Sequence, residues 1–121
     1  MQLCASEWTV LQSLWEKAPQ TLMQLVENLQ RRTGWSASTI KTMAARMTEK
    51  GILRYEGKPR QYYPNVTREE AGYAETEQLL SRAFGGNLGL LVSNFADHSK
   101  LQKEDLDELY AILDRAAGRG E

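Results

Sequence analysis

The stretch from Ser36 to Tyr63, SASTIKTMAARMTEKGILRYEGKPRQYY, leaves this chain few ways to fold. Ile40, Met43, Ala44 and Met47 recur at i, i+3, i+4 and i+7, the spacing that lines one side of a helix. Ser36 or Ser38 can cap the first turn, and Gly51, just past Lys50, suits the C′ position where positive φ is common. Two short strands are predicted next, Ile52 to Glu56 and Gln61 to Asn65, around the turn Glu56-Gly57-Lys58-Pro59-Arg60. Of the strand pair Tyr62 and Tyr63, one ring is expected in the core and one outside.

Two more helices precede this unit. Trp8, Leu11 and Trp15, with Val10 and Leu14, follow a rhythm of three and four, with Ser6 as the expected N-cap and Glu7 in the first turn. After Pro19, Thr21-Leu22-Met23-Gln24 matches a capping box, and Leu22, Leu25, Val26 and Leu29 repeat the stripe to about Thr33. Gly34-Trp35 makes the turn. Three short helices, the last with a polar outer face, followed by a hairpin, are the pattern of a winged helix-turn-helix domain, expected over residues 1–66.

Opposite the apolar stripe of the third helix lie Ser38, Thr42, Ala45 and Glu49, flanked by Lys41 and Arg46. Short hydroxyl and basic side chains suit a major groove, where they reach phosphates and base edges and an Ala can meet a thymine methyl. Any surface helix can look this way, so the distribution of charge matters. Lys and Arg against Asp and Glu number 1 and 3 over residues 1–30, 8 and 2 over 31–60, and 6 and 11 over 61–121, which leaves segment charges of −2, +6 and −5. A near-neutral total therefore hides a basic middle, Arg31, Arg32, Lys41, Arg46, Lys50, Arg54, Lys58 and Arg60, suited to a polyanion. The candidate contacts to double-stranded DNA are Ser36, Ser38, Thr39, Lys41, Thr42 and Arg46 from the helix, with Lys58 and Arg60 from the hairpin tip.

Beyond Thr67-Arg68-Glu69-Glu70, a further capping box, the chain turns acidic and helical. One helix is expected to end near Gly85-Gly86, and two more follow at helical spacing. Their apolar positions are Tyr73, Leu80, Phe84, Leu88, Leu91, Val92, Phe95, Leu106, Leu109, Tyr110 and Leu113. Some fifty residues without a sheet rarely make a stable core unaided, so these are expected to form a homodimer interface over residues 67–121. The alternative is a monomer in which the stripes close on the winged helix. The expected fold class is mainly α with a small β-wing: a winged helix-turn-helix domain followed by a helical dimerisation domain.

With one cysteine, Cys4, and one histidine, His98, far apart in sequence, no metal site is expected. No cofactor site and no catalytic residues are expected either, since neither a glycine-rich phosphate loop nor a nucleophile and base constellation is present. No run approaches the roughly 20 apolar residues of a membrane span, and the N-terminal MQLCASEW does not read as a signal peptide, so a cytoplasmic protein is expected. A winged-helix module that binds proteins instead of nucleic acid is the competing reading.

Taken in order, Ser6-Glu7-Trp8 through Leu14-Trp15, Gly34-Trp35-Ser36, Thr39-Ile40-Lys41-Thr42, Lys50-Gly51, Tyr62-Tyr63-Pro64, Phe84-Gly85-Gly86 and Asn94-Phe95 resemble the penicillinase repressor family, the BlaI, MecI and CopY type. The resemblance implies a homodimeric winged-helix repressor on a palindromic operator. In β-lactam-responsive members a membrane-bound sensor with a cytoplasmic metalloprotease domain leads to cleavage at an Asn-Phe bond, and Asn94-Phe95 occupies the matching place. A repressor answering a different signal is the alternative within the family. Copper-responsive members carry a cysteine-rich tail, whereas residues 116–121 here read Ala116-Ala117-Gly118-Arg119-Gly120-Glu121, so metal sensing through such a tail is not expected. Ser38 stands where some members have Lys, and Ala44-Ala45 is less bulky than in many relatives, differences that bear on the operator sequence.

Overall fold

The computed structural model describes residues 1–119, so Gly120 and Glu121 of the cysteine-free tail lie outside the described residues. The chain divides into two compact units, Met1–Gln78 and Leu79–Glu121. The first holds α1 (Ala5–Glu16), β1 (Gln20–Thr21), α2 (Leu22–Thr33), α3 (Ala37–Glu49), β2 (Leu53–Glu56), β3 (Gln61–Pro64) and the start of α4 (Arg68–Phe84). The second holds the end of α4, α5 (Leu88–His98) and α6 (Lys103–Arg119).

Helix α1 starts earlier than its serine suggests. Cys4, in extended backbone, is the N-cap, and its N–H donates to Glu7 Oε1 at 3.0 Å, while Ser6 lies inside the first turn with its hydroxyl 3.3 Å from the Cys4 thiol. The carboxylate three residues on from the cap decides the register, because it is the group able to reach back to a free N–H. Helix α2 follows its capping box, with Gln24 N–H on Thr21 Oγ1 at 3.2 Å and Thr21 N–H on Gln24 Oε1 at 2.9 Å. It ends at Gly34, whose φ of 77° lies in the left-handed region.

For α3 the cap is Ser36, its Oγ accepting the Thr39 N–H at 3.2 Å. At the other end Gly51, at φ 80°, lets its N–H reach Thr48 O and the Ile52 N–H reach Met47 O, both at 3.0 Å, the pair of bonds that closes a Schellman turn. That turn spends the Ile52 N–H on the helix, so β2 begins at Leu53 rather than Ile52. Asn65 is likewise outside β3, although its N–H still donates to Ile52 O at 2.7 Å.

The sheet has three strands in the order β1-β3-β2, both pairings antiparallel. Register sets Tyr55 against Tyr62 and Arg54 against Tyr63, and Gln20 and Thr21 of β1 lie beside Tyr62 and Gln61. Strand β1 is not foreshadowed in the sequence, because two residues carry no periodicity. Tyr62 faces the core and Tyr63 is half-buried on the other side. Val10, Leu11 and Leu14 of α1, Leu25, Val26 and Leu29 of α2, and Ile40, Ala44 and Met47 of α3 close on Ile52, Leu53 and Tyr62. Trp15 and Trp35 pack against the rim of this cluster. The apolar stripes read from the sequence thus meet in one core, with Met43 at its edge.

The second unit is different. Neither α5 nor α6 carries a buried side chain among the described residues. Leu88, Leu90, Val92, Phe95, Leu106, Leu109, Tyr110, Ile112 and Leu113 are all exposed. No helix of the described residues is long and apolar enough to cross a membrane.

Candidate nucleic-acid interface

Because Ile40, Ala44 and Met47 bury one side of α3, the opposite side must face solvent. Ser36, Ser38, Thr39, Lys41, Thr42, Ala45 and Arg46 are all exposed. At the N-terminal end the hydroxyls form a linked group: Ser36 donates to Thr39 Oγ1 at 2.9 Å and lies 3.3 Å from Ser38 Oγ. Ser36 is therefore engaged as the cap, and Ser38, Thr39 and Thr42 present an exposed hydroxyl edge along the N-terminal half of the helix.

The basic residues sort into two groups. Arg32 is paired with Glu16, Lys50 with Glu7 at 2.7 Å and Arg54 with Glu56 at 2.7 Å. Arg31 donates to Asn28 Oδ1 at 2.6 Å. Lys41, Arg46, Lys58 and Arg60 have no acidic partner among the described residues. Arg31, whose Asn28 partner is neutral, joins them in lacking a carboxylate, but the four are the cations picked out by position on the wheel and on the wing tip. The sorting has a physical sense, since a cation already neutralised by a carboxylate releases few counterions on meeting a phosphate.

Lys50 and Glu7 form a strut between the start of α1 and the end of α3. In the sequence Glu7 is only a favourable first-turn charge, yet in the fold it is buried. Its burial alone would raise the carboxyl pKa, but the hydrogen bonds from Lys50 and from the Cys4 backbone, with the Lys50 charge, outweigh this and hold it below its ordinary value of 4.5. Gln20 is a residue that sequence reasoning misses altogether. It is fully buried, its amide N–H groups pointing at Ser13 O, Ser13 Oγ and Lys17 O at 3.1, 3.2 and 2.8 Å, and its Oε1 accepting from Asn28 Nδ2 at 2.8 Å. A Gln flanked by Pro19 and Thr21 gives no periodic signal, so only the capping box beside it hints that the position is fixed.

On the wing, Arg60 lies over the Tyr55 ring, its Cζ 4.1 Å from the centroid, while Lys58 is exposed at the turn. In the second unit Leu91, Val92, Phe95, Leu106, Leu109, Tyr110 and Leu113, with Ala96 and Leu101, line an apolar cavity of about 400 Å³ between α5 and α6. Leu80, Phe84 and Leu88 are not part of it, and Tyr73 belongs to the first unit, exposed, with its hydroxyl on Glu77 at 2.8 Å. Asn94 and Phe95 are exposed within α5, and the Asn94 carbonyl accepts from His98 Nδ1 at 2.8 Å. Among the described residues no group of three or more His, Cys, Asp or Glu side chains is gathered where it could hold a metal ion.

Three comparisons bear on this arrangement. The chain is 29% identical over 120 residues to the penicillinase repressor of Bacillus licheniformis, covering 98% of this chain and 94% of that one. It is 27% identical over 116 residues to the methicillin resistance regulatory protein MecI of Mammaliicoccus sciuri, covering 94% of each. Among solved structures, that of the DNA-binding domain of the repressor BlaI matches with a TM-score of 0.53 and 25% identity, over 57% of this chain and 87% of that one. The family model described as penicillinase repressor matches residues 3–115, and the chain belongs to that family.

Proposed function

We propose that this protein is a homodimeric, DNA-binding transcriptional repressor of the cytoplasm. In this reading α3 occupies the major groove and the β2–β3 wing lies along the neighbouring backbone. The observation that carries it is the sorting of charge: Lys41, Arg46, Lys58 and Arg60 lack acidic partners among the described residues, while Arg32, Lys50 and Arg54 are neutralised within the fold. The repressor names of the relatives, and the DNA-binding domain among the solved structures, support the same reading. Ser38, Thr39 and Thr42 then meet base edges and phosphates, and Ser36 orders the helix end that meets them. Dimerisation through α5 and α6 would present two recognition helices to a palindromic operator.

The test is a salt series of binding to duplex from the chain's own upstream region and to random duplex of equal length. Preference for the upstream duplex by about two orders of magnitude or more is expected of a specific repressor. Lys41→Ala should reduce the slope of log K against log salt by about 0.9 for each phosphate it no longer neutralises, and Arg54→Ala should leave it unchanged. Equal weak binding to both duplexes, with a slope indifferent to Lys41, would favour a protein-interaction module instead.

Release in this reading follows cleavage of the Asn94-Phe95 bond after β-lactam sensing by a membrane-bound metalloprotease. Phe95 is 58% exposed, but the bond is helical and must open locally before a protease can take it. In cells carrying such a sensor, β-lactam treatment should yield a fragment that begins at Phe95, detected by mass spectrometry. An intact chain together with derepression would point to a different signal.

A further inference from the structure

The hairpin carries two arginines stacked on tyrosines, one on each face, and they differ in how their charge is used. On one face Arg54 lies over its cross-strand neighbour Tyr63, Cζ to centroid 4.2 Å, and its charge is taken by Glu56. On the other, Arg60 lies over Tyr55 at 4.1 Å with no acidic partner among the described residues. Tyr55 is itself braced by its cross-strand neighbour Tyr62, ring centroids 5.9 Å apart, and Tyr62 is 5% exposed in the core. A column of Tyr62, Tyr55 and Arg60 thus runs from the core to the wing tip.

A guanidinium stacked on a ring uses its face, which leaves its in-plane N–H donors free. Those donors form the fork that matches a phosphate bidentately. An arginine at an exposed turn would otherwise sample many rotamers and lose that freedom on binding. We propose that Tyr55 is a positioning residue of the wing, seating the Arg60 guanidinium so that its edge meets a backbone phosphate. This rests on the DNA-binding reading above. Tyr63 does the same for Arg54 geometrically, but there one nitrogen of the fork donates to Glu56 and the charge is paired, so that stack serves the hairpin.

The experiment is a double-mutant cycle on the full chain, binding random-sequence double-stranded DNA at low salt, where phosphate contacts dominate. Tyr55→Leu should weaken binding about three- to fivefold for each wing engaged, Tyr55→Phe should bind as the parent does, and Tyr55→Leu should have no further effect in an Arg60→Ala background. Arg54→Ala with Tyr63→Leu should show no coupling in DNA affinity. If the leucine variant does not fold, Tyr55→Thr, a strand former without a ring, takes its place.

Equal losses from Tyr55→Leu with and without Arg60 would overturn the positioning role while leaving the DNA-binding reading intact, since Arg60→Ala would still weaken binding. Coupling of the same size at Arg54 and Tyr63 would also overturn it, by showing that any hairpin stack matters through strand pairing. An Arg60→Ala variant with unchanged affinity would overturn the positioning role and remove Arg60 from the DNA contacts, leaving Lys58 as the wing's cation.

Discussion

In the proposed homodimer, Leu109→Asp should leave a monomer in sedimentation equilibrium and lower affinity for a palindromic duplex by about 10²–10³-fold, the order of the avidity that linking two binding modules confers. Leu109 lines the apolar cavity of the second unit beside Leu106 and Leu113 and is 40% exposed in the single chain. A carboxylate there would have to be desolvated against apolar side chains with no partner, a cost that association cannot offset. Binding to a single half-site and the melting of the first unit are expected to be unchanged. The core cluster of Leu11, Leu29, Met47 and their neighbours draws on no residue beyond the first unit. A Leu109→Asp variant that stays dimeric at full operator affinity would show that this face is not the one through which two copies meet.

Gln20→Ala is expected to destabilise the first unit by about 3 kcal/mol, read from urea unfolding, because it removes the buried amide that holds Ser13 Oγ, Lys17 O and Asn28 Nδ2 together. Its side chain ties Ser13 and Lys17 at the end of α1 to Asn28 in the middle of α2. With it gone, the Asn28 amide loses its acceptor, and the Arg31 bond to Asn28 Oδ1 loses its anchor. Gln20→Leu should be no better, since the same partners remain unsatisfied around an apolar side chain of similar length. A loss below about 0.5 kcal/mol, the usual range of surface substitutions, would mean that water replaces the amide without cost.

Much of the site is legible in the sequence because its logic is local. Ile40, Ala44 and Met47 point inward at 3.6-residue spacing, so Lys41, Thr42 and Arg46 have to point outward, and the observed exposure follows without further information. Capping is equally local: Thr21 with Gln24, Thr67 with Glu70 and Ser36 with Thr39 each satisfy a free N–H within one turn. Where two local candidates compete, sequence reasoning goes astray. Ser6 is the better capping residue by type, but Glu7 can reach back only to Cys4, and so the helix starts there.

Long-range pairing is what lies out of its reach. The sequence sets Lys41 on the outward face of its helix and Lys50 at the helix end, but it does not show what Lys50 meets; only the fold brings Glu7 across 43 residues to neutralise it. Gln20 becomes the buried link between two helices because β1 pairs with β3, a contact between positions far apart in the chain. The Tyr62, Tyr55 and Arg60 column likewise exists only once β2 and β3 are in register. The amino-acid order by itself determined which faces are apolar, where most helices start and stop, and which segment is basic, because those depend on neighbours within a turn. Which charges are spent on the fold and which remain for a partner was decided by the tertiary structure, because neutralisation requires two side chains to meet, and only the packed core sets who meets whom.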